Sequence, residues 1–84
     1  MTTRNVDLNS TEYLEVSSED CFVASNSAYT VRLFFADAKP LVDVEGAFTL
    51  KPNDGFIRSA GFPAGILWGK CLEEDVTAKV SVNE

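Results

Sequence analysis

Histidine is absent from this chain. That removes the most frequent general base and the most frequent metal ligand together, so neither a Ser-His-Asp nor a Cys-His triad can be assembled from its own residues. Cysteine occurs only at Cys21 and Cys71, which leaves a zinc site to be completed by carboxylates at unsuitable spacing. The five glycines, at 46, 55, 61, 65 and 69, are dispersed and build no phosphate loop. Basic residues are few: 7 against 13 acidic ones, for a net charge of −6. Arg4, Arg32, Lys39, Lys51, Arg58, Lys70 and Lys79 are scattered along the chain, so no basic patch is expected and nucleic-acid binding is disfavoured. Long hydrophobic runs are lacking as well. No stretch approaches membrane-spanning length, and residues 1–7 carry no apolar h-region, so neither a membrane partner nor a signal peptide is expected, and a cytosolic product is the expectation. Apolar residues never recur at helical spacing for three turns, which excludes an amphipathic helix.

What the chain does contain is strand patterning. Val76-Thr77-Ala78-Lys79-Val80-Ser81-Val82-Asn83 alternates apolar and polar, so Val76, Ala78, Val80 and Val82 share one face. Tyr29 to Ala36 is β-branched and aromatic, with Val31, Leu33 and Phe35 on one face and Thr30, Arg32 and Phe34 on the other. Further strands are expected at 13–16, 21–25, 47–50, 56–58 and 66–72, with 41–45 a short edge strand or an extended loop. Lys51-Pro52-Asn53-Asp54-Gly55 reads as a tight turn, with Pro at the first central position, after which 56–58 continues as the hairpin partner of 47–50. Glu73-Glu74-Asp75 reads as the turn of a hairpin that pairs 66–72 with the final strand. The expected architecture is all-β: a small antiparallel β-sandwich or barrel of about 6–8 short strands. Residues 1–12 are expected to be a flexible N-terminal arm or edge strand and 13–84 a single sandwich domain. With 84 residues, and about 60–65% of the unfolded surface buried, such a core is marginal and gains from oligomerisation.

Few side chains stand out as functional. Carboxylates at 73–75 diverge around a turn, and Asp37, Asp43 and Glu45 lack the frame of a calcium loop. Neither a catalytic residue nor a cofactor site is assigned, and an enzyme is the least favoured class. The two cysteines read as small buried hydrophobes, with a single disulfide as the alternative. Trp68 reads as a core or interface residue, with a sugar platform as the alternative. Phe34 breaks an otherwise polar strand face, and Phe62 precedes Pro63 on a loop. With Leu41, and with Val6 and Leu8 of the arm, they are the candidate interface.

The order of pieces Tyr29–Phe35, Ala36-Asp37-Ala38-Lys39-Pro40, Leu50-Lys51-Pro52-Asn53-Asp54-Gly55-Phe56, a Gly-rich loop, Leu67-Trp68-Gly69-Lys70 and a terminal alternating strand resembles the small all-β structural proteins of tailed bacteriophages. Those proteins decorate capsids or form compact parts of head fibres and tails. The resemblance covers about residues 13–84 and transfers no functional residue. It implies a homo-oligomer, often a trimer, that docks on a viral capsid or tail protein and resides in the virion without a cofactor. Two other roles compete with it: a carbohydrate- or protein-binding module using exposed aromatics such as Trp68 or Tyr29, and a small acidic phage inhibitor of a host protein.

Overall fold

The computed structural model describes residues 3–59 and 64–84. Among them lie eight strands: β1 (Thr3–Leu8), β2 (Leu14–Ser17), β3 (Cys21–Ser25), β4 (Val31–Ala36), β5 (Phe48–Leu50), β6 (Gly55–Arg58), β7 (Ile66–Cys71) and β8 (Ala78–Asn83). No described helix is long and apolar enough to cross a membrane. The first sheet has the order β1-β8-β3-β6 and the second β2-β7-β4-β5, with every pairing antiparallel. The fold is the β-sandwich expected of the composition.

The pairing follows one pattern. Thr3 lies opposite Asn83, Leu14 opposite Gly69, Cys21 opposite Arg58 and Val31 opposite Leu50. These partners are disposed almost symmetrically about the 37–47 segment. The chain is thus one long hairpin whose successive rungs, β4–β5, β3–β6, β2–β7 and β1–β8, fall alternately into the two sheets. Rolling the hairpin up adds the β3–β8 and β4–β7 contacts that complete each sheet. Two interlocked four-strand sheets wound in this way form an eight-stranded jelly roll.

Alternation decides which side chains meet between the sheets. Leu8, Val23, Val80 and Val82 of the first sheet are fully buried against Val16, Val31, Leu33 and Leu67 of the second. Phe35, Phe48 and Phe56 stack at one side of this core, with centroids 5.1–6.2 Å apart. The Arg58 guanidinium sits 5.4 Å from the Phe35 ring centre. Gly69 faces inward, and side chains of both sheets close over it. A Cβ placed there would lie 3.0 Å from Leu8 Cδ1 and 3.1 Å from both Leu33 Cδ2 and Val16 Cγ2.

Two hairpins expected from the sequence do not form. β7 and β8 lie in different sheets, because β7 is already flanked by β2 and β4 and β8 by β1 and β3. The Glu73-Glu74-Asp75 turn, with Asp75 at φ 59°, therefore carries the chain across the sandwich. The Pro52 turn forms as expected, since Asp54 N–H donates to the Lys51 carbonyl at 3.1 Å with Asn53 at φ 67°. It too joins opposite sheets, from β5 to β6. Ser25 takes up its polar groups: Ser25 N–H donates to the Asp54 carbonyl, and Asn53 N–H to the Ser25 carbonyl. Residues 41–45 form turns rather than a strand, with Val44 N–H donating to the Leu41 carbonyl at 3.1 Å. In the final strand, Ala78, Val80 and Val82 are fully buried and Val76 packs on the core.

Candidate functional site

The residues marked out by the sequence as interface candidates do not converge. Leu8 is fully buried, because the even positions of β1 face inward and Leu8 fills the space over Gly69. It has no surface to offer a partner, which corrects its place in the candidate interface. Val6 is half-buried and packs against the same core. Phe34 is half-buried on the outer face of the second sheet, directly opposite Trp68. Leu41 is 76% exposed at the tip of the rolled hairpin, with Val42 beside it. Phe62 lies outside the described residues.

A different pair of apolar side chains is left uncovered. Phe22 and Ile57 are direct cross-strand partners on the outer face of the first sheet, 42% and 68% exposed. The Phe22 ring lies over Gly55, where an added Cβ would come within 2.7 Å of it. The rows around them are small and uncharged: Thr3 and Asn83 continue the row of Phe22, and Asn5, Ser81 and Ala24 form the next. Asp7 and Lys79 lie opposite each other one row further on, so the face as a whole carries no net charge. The net charge of −6 is borne elsewhere on the molecule. Phe22 could have been found from its own strand, where it alternates against the inward Cys21 and Val23. Its pairing with Ile57 depends on the sheet order, which the sequence does not display.

Trp68 is half-buried, and its indole Nε1–H donates to the Ala36 carbonyl at 3.1 Å. Tyr29 packs against the core. Both cysteines are free and buried, and burial pushes the Cys21 thiol up from its ordinary value. Among the described residues there is no pocket and no cluster of three or more metal-ligating side chains.

A polar latch spans the two sheets at one end. Glu84 accepts from Arg4 Nε at 3.0 Å and from Ser17 Oγ at 2.7 Å. A second Arg4 nitrogen donates to the Val16 carbonyl. Arg4 and Glu84 flank the β1–β8 pair of the first sheet, and Val16 and Ser17 belong to β2 in the second. The hydrogen bonds from Arg4, then from Ser17, hold the Glu84 carboxyl below its usual range. A depressed folded value means that its stabilisation is complete above the unfolded value and is lost as pH falls through the folded one. Glu84→Gln should therefore lower stability by about 1 kcal/mol at neutral pH. Melting curves of native and variant chains should converge only as pH falls through the lowered value of the folded carboxyl, on the acid side of the ordinary carboxylate range.

No protein-family model, no curated protein and no solved structure matches this chain.

Proposed function

We propose that the protein is a non-enzymatic structural module of a bacteriophage particle, a capsid-decoration or fibre-associated protein that acts by self-association and docking. The observation that carries this reading is the paired exposure of Phe22 and Ile57 on a sheet face without net charge in an otherwise acidic molecule. Apolar side chains grouped in this way favour burial against a partner, and a face without net charge allows a second acidic copy to approach without repulsion. Ile57 sits on β6, an edge strand of its sheet, which adds unpaired backbone groups to the same border. The jelly-roll order supports the reading by analogy, since that architecture builds viral capsid domains, although it serves lectins and other proteins too.

Sedimentation of the chain at micromolar concentration tests the proposal, together with a search for it on purified particles. A mass above the 9.2 kDa monomer is expected. Ile57→Asp should reduce that mass to the monomer without lowering the melting temperature, because Ile57 lies outside the core. A strictly monomeric protein that never co-purifies with particles overturns the reading.

A further inference from the structure

Arg32 and Lys70 lie far apart in the sequence, yet the sheet sets them directly opposite each other on β4 and β7. Like charges in this position destabilise a sheet unless something neutralises them. Within the described residues nothing does. The ion pairs there are Arg4–Glu84 and Glu12–Lys39, and neither involves this pair. Lys70 is only 8% exposed, and the hydrogen bond found for its ammonium is a long one, 3.4 Å, to the neighbouring Cys71 carbonyl. Arg32 Nε is buried with no hydrogen-bond partner. Glu15, one row away, stands opposite Trp68 and forms no ion pair with either cation. Tyr13 precedes the Leu14–Gly69 pair and so falls in line with Lys70. Burial pushes the Tyr13 phenol up from its ordinary value, and the Arg32 charge opposes that rise.

Lys70 is nearly buried and Arg32 half-buried with its Nε shielded, and in a chain with 13 acidic residues neither meets a carboxylate within the described residues. Arginine offers a planar fork and lysine a point charge, the combination that holds a phosphate or carboxylate. We infer that Arg32 and Lys70, flanked by Tyr13, form an oxyanion-binding site on the outer face of the second sheet. With no pocket around it, the site takes a single phosphate or carboxylate group rather than enclosing a whole molecule. It lies on the opposite sheet from Phe22 and Ile57, so it stands independently of the assembly reading.

Nuclear magnetic resonance of the intact chain provides the test, with inorganic phosphate and acetate titrated separately against chloride at constant ionic strength. The Arg32 Nε–H resonance should move and saturate. Saturation with phosphate alone identifies a phosphate site, and saturation with both identifies one that also accepts carboxylates. At about ten times the dissociation constant, the ligand should raise the native melting temperature by roughly 5 °C or more. Lys70→Gln and Arg32→Gln should each abolish that extra rise; two variants are used so that misfolding of one leaves the other decisive. A resonance that drifts linearly without saturating overturns the site. So does a melting rise of equal size in native and variant chains, which is the general effect of these salts on burial.

Discussion

Gly69→Val is expected to cost about 3 kcal/mol or more, a large share of the total stability of the chain. The position lies on the inward face of β7, and a single Cβ would already crowd three side chains at 3.0–3.1 Å. Those three, Leu8, Val16 and Leu33, come from different strands and are each fully buried. None can swing toward solvent, so relief requires the sheets to separate. Forcing extra methylenes into a packed core costs about 1–3 kcal/mol and sometimes more, and valine adds three carbons at the tightest point. A domain of this length has a total stability of roughly 4–13 kcal/mol. Circular dichroism should show a thermal transition lowered by about 12 °C or more. A variant that melts within a few degrees of the native chain would show that the sheets can spread at Gly69 without penalty.

Leu33→Ala is expected to have the next largest effect, a loss of about 2–5 kcal/mol. Leu33 is fully buried at the centre of β4, between Gly69 on β7 and Phe48 on β5. It also meets the Gly69 position from within the core. Truncation removes the packing that lets the sheets approach there, and the surrounding β-branched residues have few rotamers with which to refill the space. Denaturant titration should show a lower midpoint at unchanged slope. Combined with Gly69→Ala, the loss should be smaller than the sum of the two single changes, because the new methyl group occupies part of the cavity left by leucine.

Much of the secondary structure was legible in the sequence, and the pairing was not. Alternation at Val76–Asn83 and Val31–Phe35 marks strands and their inner faces, since side-chain direction along a strand is a local property. The Pro52 turn was legible for the same reason. Local signals do not say which sheet a strand enters. Glu73-Glu74-Asp75 and the Pro52 turn both resemble hairpin connections, yet each carries the chain between sheets: β7 and β8 are flanked on both sides by other strands, and β5 and β6 close the edges of different sheets against β4 and β3. The candidate sites suffered from the same limit. Residues 1–12 read equally as a loose arm or an edge strand; β1 is the edge strand, and its pairing with β8 turns Leu8 inward. Arg32 and Lys70, and likewise Phe22 and Ile57, become neighbours only through non-local registers.

The rolled hairpin also dictates when each half of the molecule can become ordered. Every rung joins a strand from before the 37–47 segment to one from after it, so during synthesis β1, β2 and β3 emerge with no complementary strand in existence. β4 and β5 can pair first, once residue 50 has been made, and each later rung begins where the preceding one has drawn the two halves together, which keeps the loop left to close short. The earliest strand, β1, has β8 as its sheet partner and waits longest, leaving Val6 and Leu8 unsheltered until residues 78–83 exist. A ribosome carrying a partly made chain therefore holds a sticky, half-zipped intermediate rather than a folded subdomain.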